Sequence, residues 1–220
     1  MEKIEKKICD DFHQLYEKKR TWEKTSWLGT PIWKFPFDAF IIQELIFKVE
    51  PDYIIETGTN FGGSALFYAS ILELLGKGSV VTIDKENKVC LSNEYAKKLF
   101  NKRVYSIIGD SIDEIVFNSA RSLSAGDNKN IMVILDSWHT KEHVLKELKL
   151  YSRLVSVGSY LIVEDSHMNG HPIKWKWCEG PYEAIQEFLK TNHSFRIDKK
   201  CENLLITFNP SGFLRRVLHG

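Results

Sequence analysis

The sequence predicts a doubly wound α/β fold: a mostly parallel seven-stranded sheet with one antiparallel strand, and helices on both faces. Two observations predict it. Five short β-branched runs, YIIE, SVVTI, VYSII, IMVIL and YLIV, succeed one another between residues 53 and 163, with a helix-length segment between each pair. Strands apolar at nearly every position are buried on both faces, as in a parallel sheet covered by helices. Beyond them lie a helical segment at Tyr182–Lys190 and two further runs, FRID and LLITF, separated by a short link. So short a link cannot join parallel neighbours, so one of the two is antiparallel.

Before the sheet, Ile4, Ile8, Phe12 and Leu15 recur at helical spacing and predict an amphipathic helix over residues 2–19. The stretch TWEKTSWLGTPIWKFPF (21–37) carries three tryptophans and two interior prolines, which rule out a regular helix. Asp38 is then expected to cap a helix running to Val49. This divides the chain into an N-terminal helical and aromatic segment, residues 1–50, and a sheet domain, residues 51–220.

Composition narrows the class. The 220 residues are 43% hydrophobic and 27% charged, enough to bury a full core. Thirty basic against 29 acidic side chains leave a net charge of +1, without the basic excess of a nucleic-acid binder. There is no apolar run of roughly 18 residues to span a membrane. The charged N-terminus MEKIEKKICDDF lacks the apolar stretch of a secretory signal. Four cysteines, Cys9, Cys90, Cys178 and Cys201, lie far apart with no CxxC pair. That argues against a zinc ribbon and fits reduced thiols in a cytoplasmic protein.

Open α/β sheets bind ligands at the carboxyl ends of their strands. IIETGTNFGGSA (54–65) lies where the first strand gives way to a helix. Gly58 permits a tight turn, and Gly62 and Gly63 permit close approach of backbone or ligand at the helix start. The spacing is not the GxGxxG of a dinucleotide site, and Glu56 would repel a pyrophosphate. It suits a cationic ligand such as the aminoacyl end of S-adenosylmethionine, cradled by Glu56, Gly58, Thr59, Asn60, Gly62, Gly63 and Ser64. Asp84 ends the next strand, where an acid can accept hydrogen bonds from ribose hydroxyls. Asp110 and Ser111 end the third strand and either reach an adenine edge or cap the following helix.

The fourth strand delivers Asp136 and the fifth delivers Glu164 and Asp165 to the same sheet edge. Three converging acids repel unless a cation sits among them, and hard oxygen ligands suit Mg²⁺ best, with Mn²⁺ or Ca²⁺ as alternatives. His139, three residues after Asp136, is placed to take a proton from a substrate hydroxyl held on that metal. His167 and His171 follow as weaker candidates. The aromatic stretches 21–37 and HPIKWKW (171–177) offer walls for a sugar or aromatic acceptor, a packing surface, or a homo-oligomer contact, with Lys174 and Lys176 able to meet an anion.

The segments WLGTPIWKFPFD (27–38), IIETGTNFGGSALF (54–67), GDS (109–111), ILDSWHTKEHVLKEL (134–148), YLIVEDS (160–166) and GPYEAIQEFL (180–189) together resemble the cephalosporin hydroxylase family, which includes rhamnosyl O-methyltransferases. The resemblance runs from about Trp27 to the C-terminus. It implies the Rossmann-like class I S-adenosylmethionine-dependent methyltransferase fold over residues 51–220. It also implies a metal on Asp136, Glu164 and Asp165, with Asp136 near the cofactor too. DSWH (136–139) is similar to the D-x-W-K stretch of catechol-type O-methyltransferases, whose lysine base is replaced here by His139. The implied acceptor is a small molecule or glycan, in surface-glycan or natural-product assembly. Oxygen chemistry has no support, because no His-x-acid pair with a distant histidine is present. A dinucleotide-binding oxidoreductase and a non-catalytic nucleotide-binding subunit remain the alternatives.

Overall fold

The computed structural model describes residues 2–174 and 179–218, and Trp175, Lys176 and Trp177 of the expected acceptor region, with Cys178 after them, lie outside these. Helix α1 (Lys3–Lys18) leads to a two-stranded ribbon, β1 (Ser26–Trp27) and β2 (Thr30–Pro31), and then to α2 (Pro36–Val49). The main sheet alternates with helices: β3 (Tyr53–Thr57), α3 (Gly63–Leu74), β4 (Ser79–Asp84), α4 (Glu94–Arg103), β5 (Val104–Ile108), α5 (Glu114–Leu123), β6 (Ile131–Leu135), α6 (Lys141–Tyr151) and β7 (Tyr160–Val163). Helix α7 (Pro181–Thr191), β8 (Phe195–Ile197) and β9 (Phe213–Arg216) complete it. Strand order is β5-β4-β3-β6-β7-β9-β8, with β9 antiparallel to both neighbours and the other pairs parallel.

Each inner strand buries alternate residues on opposite faces, as its period of two requires. Ile54, Met132, Ile134 and Ile162 join the core under α2, α3 and α4. Ile55, Val133, Leu135 and Leu161 join the core under α5, α6 and α7. Strand β5 is the exception to the expected double burial: it closes the sheet edge, so Tyr105 and Ile108 are exposed.

Two sequence expectations change. The reversed strand is FLRR (213–216), not LLITF (204–208), which runs as turns with Leu205 at φ +70° and exposed. Phe208 leaves the sheet for an aromatic stack, and Gly212 brings the chain back in. A Cβ on Gly212 would stand 2.2 Å from the Val163 carbonyl oxygen, so the glycine is what permits β9 to lie against β7. Arg216, which in sequence reads as one of a surface pair, donates to the carbonyls of Ser152 and Val155 and lies over the Phe195 ring.

The second change concerns Asp38. Helix α2 begins three residues earlier, with Phe35 at the N-cap position and Pro36 in the first turn. Asp38 points instead across the fold, accepting hydrogen bonds from the Thr207 hydroxyl (2.5 Å) and the Phe208 backbone N–H (2.7 Å). That tie holds the 204–208 segment over α2 and so sets Phe208 in place.

Phe208 stacks on Phe35, His13 and His167, with ring centroids 4.7, 4.9 and 4.1 Å away. Through His13, helix α1 is pinned to the loop after β7. Burial, reinforced by His167, pushes the His13 pKa down to about 3. An unfolded chain protonates this ring below about pH 6.5 while the folded one does not. The contribution of His13 is therefore whole above pH 6.5 and lost as pH falls toward 3, at up to about 1.4 kcal/mol per pH unit. Asp38 and Glu56, both lifted to about 7 by burial, act with the opposite sign. Comparing the wild type with His13→Phe isolates the histidine: the variant should gain about 2 kcal/mol relative to wild type between pH 6.5 and 5. Parallel urea midpoints across that range would refute it.

Candidate active site

Strand order reverses between β3 and β6, and a cavity of about 590 Å³ opens at the carboxyl ends of the strands there. It has the size of a cofactor site. Of the residues expected to bind cofactor, Gly58, Thr59, Asn60, Gly63, Ser64, Asp84, Ser111 and Asp136 line it, whereas Glu56, Gly62 and Asp110 do not.

The glycines approach the protein's own backbone. A Cβ on Gly58, at φ +93°, would stand 1.9 Å from the Asp136 carbonyl oxygen, and one on Gly63 would stand 2.1 Å from the Pro31 carbonyl oxygen. The first contact seats the β3 turn against the end of β6, and the second seats the N-terminal ribbon on α3. Trp27 completes the ribbon's seat, donating to the Ser70 hydroxyl at 3.0 Å with its ring edge-on to Phe67.

Glu56 lies beneath the turn, wholly buried. It accepts a hydrogen bond from Thr82 at 2.6 Å, and Thr82, its one proton so committed, accepts from Thr59 at 2.7 Å. Asp84 accepts the Asn60 N–H at 2.8 Å, fixing a turn whose Asn60 sits at φ +45°. Asp110 pairs with Lys85, and neither it nor Ser111 caps α5, since Asp113 does so through the Ile115 N–H. Ser111 instead meets His143 Nε2 at 3.1 Å. Ser137 gives its proton to Glu147 at 2.7 Å and lies 3.1 Å from the same nitrogen, so His143 carries its proton on Nε2. This buried polar layer under the cavity was not foreseen, because its members are scattered over the loops after β5 and β6 and over α6.

Asp136, His139 and Asp165 come together, each offering one ligand atom within 4.8 Å of the others. His139 Nε2 stands 3.4 Å from Asp136 and 3.5 Å from Asp165. Asp165 holds a left-handed backbone, φ +56°, with its N–H donating to the Asn209 side chain. A strained residue at such a point is a device for aiming a side chain. Glu164 stands apart from this cluster: its carboxylate binds the Lys34 ammonium, which also reaches Asp136 at 3.3 Å. Sequence reasoning missed Lys34, a buried cation whose only signal is a charge inside the aromatic run PIWKFPF.

The charges are strongly coupled. Burial disfavours the Lys34 ammonium, but Glu164, Tyr68 and Asp136 hold its pKa well above the ordinary lysine value. Burial likewise raises Asp136, and Lys34 and His139 more than offset it, so the carboxyl sits below its usual range. Against a burial penalty, Asp165 and Asp136 lift His139 to about 9. Two aspartate oxygens beside an imidazole fit a divalent cation, with the oxygens favouring a hard ion.

The Rhamnosyl O-methyltransferase/CmcI family model matches residues 19–217. The chain belongs to that family. Among its relatives, a rhamnosyl O-methyltransferase of Mycobacterium tuberculosis (strain H37Rv) is 34% identical over 212 residues, 95% of this chain and 85% of the relative. One from Mycobacterium leprae is 33% identical over 215 residues, 95% of this chain and 90% of the other. A solved CmcI structure with magnesium and S-adenosylmethionine superposes with a TM-score of 0.67 at 19% identity, covering 89% of this chain and 78% of CmcI. The fold is thus the class I methyltransferase fold, and this family member is an S-adenosylmethionine-dependent O-methyltransferase. The dinucleotide oxidoreductase and the non-catalytic subunit are set aside. Among the described residues, no helix is long and apolar enough to cross a membrane.

Proposed function

We propose that the protein methylates a hydroxyl of a sugar or related polyol, with a divalent metal that Asp136 and Asp165 would hold. Glu164, expected from sequence as a third ligand, stays on Lys34. His139 is the proton acceptor once a cation offsets the two aspartates that keep it protonated. The observation that carries this reading is the convergence of Asp136, His139 and Asp165 in a cavity that is also lined by Gly58, Thr59, Asn60, Gly63, Ser64 and Asp84. The turn takes the methionine end of S-adenosylmethionine, and Asp84 takes the ribose. When bound, a divalent ion lowers the pKa of a substrate hydroxyl and orients it.

The chain's own residues do the rest. Methyl transfer is an in-line displacement, so the acceptor oxygen and the methyl must be held about 3 Å apart and aligned. Asp136 serves both sides, since its side chain meets His139 while its backbone carbonyl packs on the Gly58 turn. His139 lies beside both aspartates, which lift its pKa to about 9; a cation on those carboxylates would remove that lift and leave the ring able to accept the hydroxyl proton as the oxygen attacks. Lys34 offsets the negative charge of the acids before any cation arrives. The curated relatives are named for a rhamnosyl acceptor, which makes a deoxysugar hydroxyl the first acceptor to try.

The test is methyl transfer from labelled S-adenosylmethionine to methyl α-L-rhamnoside and a panel of other glycosides. Transfer should vanish with EDTA and return with Mg²⁺ or Mn²⁺. Transfer that ignores the chelator would sink the metal role, and no transfer to any glycoside would sink the acceptor class.

A further inference from the structure

We infer that helix α1 is a docking surface for a second copy of this chain, the two helices lying antiparallel across a two-fold axis near Ile8. This contact is independent of the acceptor and of the metal.

Helix α1 is turned the opposite way from a helix of an ordinary monomer, whose apolar stripe faces the core. Ile4, Ile8, Phe12 and Leu15 share one face of the helix and are all exposed, whereas the buried residue of α1 is the polar His13. The apolar surface continues past the helix. Phe12 meets Tyr16 with ring centroids 6.1 Å apart, Tyr16 stands edge-on to Phe35 at 5.1 Å, and Phe35 meets Phe37 at 5.0 Å. Phe37 and Phe40, one turn apart on α2, are exposed in their turn. The six apolar side chains Ile4, Ile8, Phe12, Leu15, Phe37 and Phe40 are 41–70% exposed. At about 200 Å² for a whole large side chain, that leaves on the order of 700 Å² of apolar surface per copy. The largest patch of an ordinary monomer is about 300–600 Å², and a stable dimer covers roughly 800 Å² per partner.

The charges select a copy of the same chain as the occupant. Helix α1 carries Lys3, Lys6, Lys7 and Lys18 against Glu5, Asp10, Asp11 and Glu17, so it has no excess charge to draw it to an anionic membrane. Lys7 and Asp11 lie along one flank of the stripe, paired with each other at 2.5 Å and exposed to solvent. Their midpoint, Cys9, is also close to the midpoint of the stripe between Ile4 and Leu15. An antiparallel pair centred there sets Ile4 against the partner's Leu15 and Lys7 against the partner's Asp11, each contact made twice by symmetry. One register thus satisfies the apolar stripe and its charged flank together. Glu17 of the same helix lines the active-site cavity, so pairing of α1 braces one wall of the site.

The experiment is sedimentation velocity of the full chain across the micromolar range, on the wild type and three variants. Wild type should sediment as a dimer. Ile8→Glu sets two like charges against each other at the axis and should raise the dimer dissociation constant at least about a hundredfold. Lys7→Glu and Asp11→Lys should each weaken self-association about tenfold, and an equimolar mixture of the two should recover it, because opposite charges then meet across the axis. Unchanged S-adenosylhomocysteine affinity shows that the variants fold. A monomeric wild type, or a dimer that Ile8→Glu leaves intact, overturns the inference. A mixture that recovers nothing overturns the antiparallel pairing. A monomer that binds phosphatidylglycerol vesicles, and loses them with Ile8→Glu, gives the face to a membrane and overturns the second copy.

Discussion

Asp136→Ala should lower methyl transfer about a thousandfold while S-adenosylmethionine still binds. The size follows from the several kcal/mol that charge stabilisation at a metal supplies, at about 1.4 kcal/mol per tenfold in rate. Three consequences coincide at this residue. One acid of the proposed metal site disappears, His139 loses its 3.4 Å partner, and Lys34 is left with Glu164 alone among its two ion-pair partners. The proposed cofactor cradle is the β3 turn and Asp84, so binding should survive. Single-turnover rates together with cofactor titration make the comparison. Turnover within a few-fold of wild type would remove Asp136 from the chemistry. Loss of cofactor binding with full folding would move it from metal holder to cofactor ligand.

Gly58→Ala should be the most damaging single methyl group in the chain, destabilising the fold by at least about 3 kcal/mol. Two costs add: a left-handed φ of +93° that side chains rarely adopt, and a Cβ placed 1.9 Å from a backbone oxygen. The oxygen belongs to Asp136, so relief requires separating the ends of β3 and β6 where the site is assembled. The Gly58 N–H also donates to the Ile83 carbonyl at 2.8 Å, which ties the turn to β4 and leaves it little room to yield. Gly76→Ala is the control. It has positive φ too, but no atom lies within 4 Å of its would-be Cβ. If denaturation midpoints of the two variants coincide, the close approach at Gly58 has no energetic weight.

Much of this was legible in the chain itself. Parallel strands buried on both faces are apolar at most positions, so β3, β4, β6 and β7 announce themselves, and βα order then fixes which strand ends share an edge. That is why Asp84, Asp136 and Asp165 could be placed on one cavity from sequence. Strand β9 could not be read so directly. FLRR looks less like a strand than LLITF does, and only the contest for the slot beside β7 decides between them. Gly212 permits that approach, whereas Leu205 is turned to positive φ.

Tertiary structure alone decided the partners of the charges. Sequence gives each acid's strand but not what crosses the sheet edge to meet it. Lys34 and Glu164 are 130 residues apart, and no periodicity connects them. The same holds for Glu17 and His167, brought together by an aromatic stack that begins on α1 and closes with Phe208 from the far end of the chain. Strands and turns follow from local patterning and short-range sterics, which a sequence displays. Ion pairs and orphaned buried atoms arise from long-range packing, where the position of each group depends on every element beneath it.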